Sequence, residues 1–199
     1  MSVFEVARLA PPMERIYPDR IPEETPDAAD LHTASGGCVG VVVAFRCREE
    51  SRVRLSFDGF GEDVDWPDPE IHVMRPVAVN SNTVRICEAG PWDPEQAPYL
   101  LREAPFEVCE ALFPGCGVEA EKGRTRAFLV LFEIPDEAAG GSRRFELRLE
   151  AAGATERLGG QLTVHEVAWP APQRMQMTNW VRLERLINPY PDVEMWSER

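Results

Sequence analysis

The stretch RRFELRL (residues 143–149) alternates charged and apolar side chains with a period of two. Such alternation is typical of a β-strand that has one face in a core and the other in solvent. After a turn at Gly153, the stretch LGGQLTVHEVA (residues 158–168) alternates again, so the two stretches predict a β-hairpin. The core-facing residues of its first strand would be Phe145, Leu147 and Leu149.

Other stretches with strand composition lie before this hairpin. The stretch at 38–47 is apolar on both faces and rich in valine, which predicts a central strand. The stretch at 51–57 alternates, and Asp58-Gly59 after it predicts a turn. The predicted strands are SVFEVARL (2–9), CVGVVVAFRC (38–47), SRVRLSF (51–57), IHVMRPVAV (71–79), TVRIC (83–87) and TRAFLVLFEI (125–134).

One proline and two short polar stretches refine the predicted strand boundaries. Asn80-Ser81-Asn82 separates the strands at 71–79 and 83–87, so a second hairpin is expected there. Pro76 lacks a backbone donor, which predicts an edge position or a bulge in the first of them. Ser35-Gly36-Gly37 predicts a turn before the central strand.

Helical periodicity is nearly absent, apart from one or two possible turns at 182–187. Short strands without interleaved helices predict an all-β fold, an antiparallel β-sandwich of immunoglobulin-like or jelly-roll-like type. Residues 89–123 contain many prolines and no clear period, so a long irregular loop region is expected there. The sandwich would occupy residues 1–170 and an extended C-terminal tail residues 171–199.

The composition of the 199-residue chain narrows the classes of partner that the protein is expected to bind. Its formal net charge is −13, which argues against nucleic acid and against anionic membrane surfaces. No apolar run approaches the length of a membrane span, and the N-terminus has no signal-peptide pattern. The five cysteines form no CxxC pair, so reduced thiols packed as small apolar groups are expected. Together these features predict a cytoplasmic protein.

The sequence offers no catalytic or metal constellation. Asp63, Asp65 and Asp68 alternate as in a calcium loop but lack its glycine and closing glutamate, so a solvated acidic loop is favoured. His32 and His72 lack the spacing of a zinc site, and His165 is expected to be structural or exposed. We therefore predict no catalytic residue, no metal and no cofactor in this chain.

Tryptophans mark two regions of interest. Trp66 and Trp92 lie in predicted loops, where they could stack on a sugar ring or fix the loop to the sandwich. Three more, Trp169, Trp180 and Trp196, lie in or next to the tail, although chain ends are normally polar. The tail is therefore expected to dock on another domain. The predicted inter-domain contacts are Trp169, Asn179, Trp180, Tyr190 and Trp196.

The last third of the chain also carries a family pattern. The stretches that carry it are FEIP (132–135), AGGSRRF (139–145), VHEVAWP (164–170), TNW (178–180) and YPDVEMWS (190–197). In these residues the chain resembles the N-terminal β-sandwich domain of glycoside hydrolase family 123 and its uncharacterised relatives. The resemblance covers roughly residues 125–199, and the first half of the chain only by architecture.

This resemblance implies a role for the chain. Family members are two-part enzymes in which a sandwich precedes a TIM barrel, and the barrel carries the acidic pair that removes β-linked N-acetylgalactosamine by substrate-assisted catalysis. The chain is then expected to be a non-catalytic accessory domain whose partner is a C-terminal barrel of the same polypeptide. A free-standing carbohydrate-binding module that uses Trp66 or Trp92 is the alternative. An enzyme in its own right is the third hypothesis.

Overall fold

The structure is a computed structural model that describes residues 2–60, 66–80 and 102–168. In this part of the chain there are ten β-strands and one short 3-10 turn at Pro26–Ala29. The strands are β1 (Phe4–Ala10), β2 (Asp30–Ser35), β3 (Cys38–Cys47), β4 (Ser51–Phe60), β5 (Glu70–Val79), β6 (Phe106–Pro114), β7 (Gly117–Ala120), β8 (Thr125–Glu133), β9 (Gly141–Ala151) and β10 (Ala154–Ala168).

The strands form two five-stranded sheets. The first has the order β1-β3-β8-β5-β6 and the second the order β2-β10-β9-β4-β7. The predicted all-β sandwich is confirmed. One strand pair departs from the antiparallel expectation, because β2 runs parallel to β10. Side-chain alternation reports which face of a strand is buried and carries no information on strand direction, so the sequence could not have shown this pairing.

The main core lies between the two sheets. The inward side chains of β8 alternate with outward ones, and Phe128, Val130 and Phe132 belong to the buried cluster. Each such side chain contributes about 1.5–3 kcal/mol through burial. The second sheet meets them with the three residues that the alternation of residues 143–149 predicted, and all three are buried: Phe145, Leu147 and Leu149.

A smaller buried cluster covers the outer face of the first sheet. Val42 and Ala44 of β3 point away from the main core and belong to this cluster together with Ile16 from the segment between β1 and β2. The Ile16 carbonyl accepts a hydrogen bond of 2.8 Å from the Cys109 N–H of β6. This covering explains why the β3 sequence is apolar on both faces, and the prediction of a central strand there is confirmed.

Several local predictions are also confirmed. β9 and β10 form a hairpin whose two turn residues, Ala152 and Gly153, both have positive φ, as a type I′ turn requires. The register of β5 against β6 shifts between Arg75 and Pro76, which is the bulge expected at that proline. Gly36 adopts φ +71° in the turn that precedes β3.

Two predictions about loops are wrong. Asp58-Gly59 is no turn, because β4 continues to Phe60 and absorbs Gly59, at φ +104°, as an irregularity in its register with β9. Part of the irregular region at 89–123 is ordered as β6 and β7. The alternation is weak in β6 because buried side chains are confined to one end of this edge strand. The predicted strand at 83–87 lies outside the described residues.

Candidate functional site

Most residues that the sequence marked as functional lie outside the described part of the chain. These are Trp92 of the carbohydrate hypothesis and the inter-domain set of Trp169, Asn179, Trp180, Tyr190 and Trp196. Their roles stay predictions. Asp63 and Asp65 of the acidic loop also lie outside the described residues, whereas Asp68 is described and exposed.

Trp66 is described, and it packs against the sandwich. The side chain is half-buried and contacts the main core. Its ring meets Phe60 edge-on, with centroids 5.2 Å apart, and the guanidinium of Arg143 lies 4.4 Å from the ring centroid. These contacts are those expected of a tryptophan that fixes its segment to the sandwich. Sugar binding by Trp66 stays a prediction.

A cavity of about 560 Å³ lies beside the start of β6, and we call it the Arg102 pocket. Arg102 holds Asp19 with two hydrogen bonds, one of them 2.9 Å between Nη1 and Oδ1. Its guanidinium also lies over the Tyr17 ring at 4.9 Å and the Phe106 ring at 5.4 Å. The lining residues are Pro18, Asp19, Ala78, Asn80, Arg102, Pro105, Phe106, Glu107, Gly123 and Arg124.

The charges that line the Arg102 pocket compensate each other. Arg102 pairs with Asp19, and Arg124 pairs with Glu107. The hydrogen bond from Arg102 lowers the pKa of Asp19 below its ordinary value and raises the pKa of Arg102 in turn. The described lining residues therefore offer aromatic surface and hydrogen-bonding groups, and their charges sum to zero. Such a lining suits a neutral polar ligand better than an ion.

The fold brings two histidines together that are far apart in sequence. The parallel pairing of β2 with β10 places His32 Nδ1 3.1 Å from His165 Nε2, with the rings stacked at 5.3 Å. Asp30 lies 3.3 Å from the other side of His32. His165 is exposed, which is one of the two expectations for it. Among residues 2–60, 66–80 and 102–168, no group of three or more His, Cys, Asp or Glu side chains could hold a metal ion.

The four described cysteines are free thiols, and two of them are buried. Burial raises the pKa of Cys47 to about 11 and that of Cys109 also to about 11. Cys38 is exposed, and its pKa is raised by partial burial and by the nearby carboxylates of Glu133 and Glu70. No disulfide joins these four cysteines in the described residues, and the expected packing as small apolar groups is confirmed for the two buried ones.

Alkylation of the folded protein with iodoacetamide at pH 8 is expected to modify Cys38 and to spare Cys47 and Cys109. A thiol with a pKa of about 11 is only about one part in a thousand thiolate at that pH, and burial excludes the reagent as well. Peptide mass spectrometry gives the modified fraction at each position, and the same reaction in denaturant is the control. Equal rates at Cys38 and Cys47 in the folded protein would contradict the prediction.

In the described part of the chain, no helix has the length and apolar content needed to cross a membrane. The described residues form an all-β sandwich of two sheets, and the charge-compensated Arg102 pocket lies at one side of it.

Comparison with solved structures gives this sandwich a counterpart. A family 123 glycoside hydrolase from Clostridium perfringens, described in connection with glycolipid glycan hydrolysis, matches with a TM-score of 0.60 at 12% identity. The match covers 83% of this chain and 28% of the hydrolase. At this identity the likeness shows the fold alone. The PapD-like domain 7 of human CEP192 matches with a TM-score of 0.31, at 12% identity over 69% of this chain and 78% of that one. No protein-family model and no curated protein matches the chain.

Proposed function

We propose that this chain is a non-catalytic accessory domain of a glycoside hydrolase family 123-like protein. It would pack on a C-terminal catalytic barrel of the same polypeptide and shape one side of its cleft. The observation that carries the proposal is the likeness to the Clostridium perfringens enzyme, which spans most of this chain and 28% of that one. A sandwich that corresponds to a minor part of a longer hydrolase fits an accessory role.

A second line of support is independent of that likeness. The stretches in which the chain resembles the family pattern include FEIP (132–135), AGGSRRF (139–145) and VHEVAWP (164–170). The described residues of these stretches lie on or next to β8, β9 and β10, which are consecutive strands at the end of the sandwich. The resemblance therefore follows three consecutive strands of the chain, one in the first sheet and two in the second, up to Ala168.

The proposal assigns the chemistry to the barrel. Removal of β-linked N-acetylgalactosamine would use an acidic pair in that domain, with the substrate acetamido group as nucleophile. The residues proposed to hold the two domains together are Trp169, Asn179, Trp180, Tyr190 and Trp196. Contacts between domains of one chain bury about 600–1,500 Å², which is enough to fix an orientation.

The test compares three proteins: residues 1–199, the downstream segment of the same gene, and the two joined. The joined protein is expected to hydrolyse a chromogenic N-acetyl-β-galactosaminide, and residues 1–199 alone are not. Trp180→Ala in the joined protein is expected to lower the melting temperature of the barrel. Trp66→Ala is the matched control, since Trp66 packs within the sandwich. A stop codon after residue 199 without a barrel gene nearby would contradict the proposal.

The Arg102 pocket favours a second candidate, a carbohydrate-binding module. Its neutral lining and its aromatic ring, Phe106, suit a sugar, and Asn80 at its rim precedes the segment that contains Trp92. Titration with N-acetylgalactosamine, followed by tryptophan fluorescence, tests this function. A response abolished by Arg102→Met or Trp92→Ala supports it. The absence of a response, or one that Arg102→Met, Trp66→Ala and Trp92→Ala all leave unchanged, excludes it.

A further inference from the structure

Arg126 occupies a position where a strand of this fold places apolar side chains. It precedes Phe128, Val130 and Phe132 in the alternation of β8, and these three face the main core. Arg126 is only 8% exposed. A guanidinium stays charged under all ordinary conditions, so its burial is costly unless its donors find acceptors.

Only part of this guanidinium has a partner. Nη2 donates to Oε1 of Glu121. Nε and Nη1 are buried and meet no acceptor in the structure of the described residues. Buried donors without acceptors are rare in native proteins, and each costs about as much as the desolvation of the group. Arg126 therefore has two hydrogen-bond donors, Nε and Nη1, that are buried without an acceptor.

The side chain of Arg126 lines a cavity of about 380 Å³ between the first sheet and the β4–β7 edge of the second. The volume lies in the range of small-molecule sites. Part of the wall is apolar and consists of Val73, Met74 and Val118. The charged lining residues are Arg52, Arg75, Glu119 and Arg126. We call this cavity the Arg126 pocket.

The charge balance of the Arg126 pocket is positive in a chain of net charge −13. Arg52 lies 3.8 Å from Glu119, and both are strongly exposed, so this pair contributes little. The guanidinium of Arg75 lies over the Phe113 ring, with Cζ 4.0 Å from the ring centroid, and no carboxylate of the described residues forms an ion pair with it. Glu121 pairs with both Arg126 and Arg124, and Arg124 also pairs with Glu107, so one net positive charge, that of Arg75, remains among the described residues. A singly charged anion would balance it.

We propose that the Arg126 pocket binds an organic carboxylate. Nε and Nη1 of Arg126 are shielded from solvent in the structure, so a shift of this side chain toward the cavity would let them donate hydrogen bonds to the carboxylate oxygens, and an apolar body would lie against Val73, Met74 and Val118. Guanidinium and carboxylate groups match in planarity and in donor and acceptor spacing. A phosphate dianion would exceed the available charge, and a bare small anion would leave the apolar wall uncovered.

The experiment uses residues 1–199 with 15N-labelled arginine and follows the Nε–H signal of Arg126 by NMR. The signal is assigned by its loss in Arg126→Met. Benzoate, acetate and inorganic phosphate are the probes. Benzoate is expected to shift the signal saturably, and acetate more weakly because it lacks an apolar body. By calorimetry, Arg126→Met should weaken benzoate binding about thirtyfold or more.

Arg157→Met is the matched control, because Arg157 lies on β10 outside the pocket and pairs with Glu146 at the surface. It should bind benzoate as the unmodified chain does. Three results would overturn the proposal: no saturable shift with any carboxylate, benzoate binding unchanged by Arg126→Met, or phosphate binding tighter than benzoate. The first and the third of these results are read from the whole set of arginine Nε–H signals of the unmodified protein, which needs no assignment, so a folding defect in Arg126→Met would not hide them. None of these results depends on whether a barrel accompanies the chain.

Discussion

Replacing Phe132 by alanine is expected to lower the free energy of unfolding by about 3–5 kcal/mol. Phe132 is 2% exposed and lies on β8 of the first sheet. Its ring centroid is 5.8 Å from that of Phe57, 5.8 Å from that of Phe60 and 5.2 Å from that of Phe145, all of which belong to the second sheet. The substitution therefore removes the ring that joins three aromatic partners across the sandwich and leaves a cavity among them.

Phe113→Ala is the matched control for this experiment. Phe113 is also a strand phenylalanine of the first sheet, but it is 43% exposed. Its loss is expected to cost about 1 kcal/mol or less, because little apolar surface returns to water. Urea denaturation followed by far-ultraviolet circular dichroism measures both variants. Comparable losses for the two variants would contradict the assignment of Phe132 to the centre of the core.

Replacing Gly160 by alanine is expected to destabilise the fold by about 1–3 kcal/mol. A Cβ at this position would lie 2.4 Å from Cζ of Phe145 and 2.5 Å from the Ala29 carbonyl oxygen. Phe145 is the cross-strand partner of Gly160 and is fixed in the core, and Ala29 O belongs to the backbone of the 3-10 turn. Neither atom can move away without disturbing its own packing, so the strain falls on the Phe145 ring and on the 3-10 turn.

The neighbouring Gly159 provides the control. A Cβ there would meet only the Phe145 carbonyl oxygen, at 3.5 Å, which is an ordinary contact. Gly159→Ala is therefore expected to leave stability unchanged within about 0.5 kcal/mol or to raise it slightly, since alanine loses less backbone entropy than glycine on folding. Thermal unfolding of the two variants side by side decides the matter. Equal melting temperatures would show that the Phe145 ring tolerates a methyl group at residue 160.

The strands with the clearest residue patterns were predictable, and the reason is local. β3, β8 and β9 each bury side chains in a regular alternation or on both faces. The pattern of apolar residues in their sequences therefore indicates directly which side chains face the core. β6 and β7 lie at sheet edges and bury few side chains, so composition alone could not separate them from loop. The parallel pairing of β2 with β10 depends on how distant segments meet, which no local pattern encodes.

The candidate sites were harder to predict, because each is assembled from distant segments. The Arg102 pocket joins Asp19 to Arg102, and the histidine contact joins His32 to His165. For one of these sites, the sequence does contain a signal. Arg126 stands two residues before Phe128, at a register position that alternation assigns to the core. A charge at an inward position of a strongly apolar strand indicates either a buried ion pair or a ligand site.

The edge position of β2 has a consequence for synthesis on the ribosome. Its hydrogen-bonding partner is β10, and Asp30 is matched with Gln161. β2 emerges early, yet its partner is translated only after all the other strands of both sheets. At about 5–20 residues per second the delay is on the order of ten seconds. During that interval the segment that becomes β2 lacks its pairing partner. The second sheet can therefore be completed only after the last hairpin has been translated.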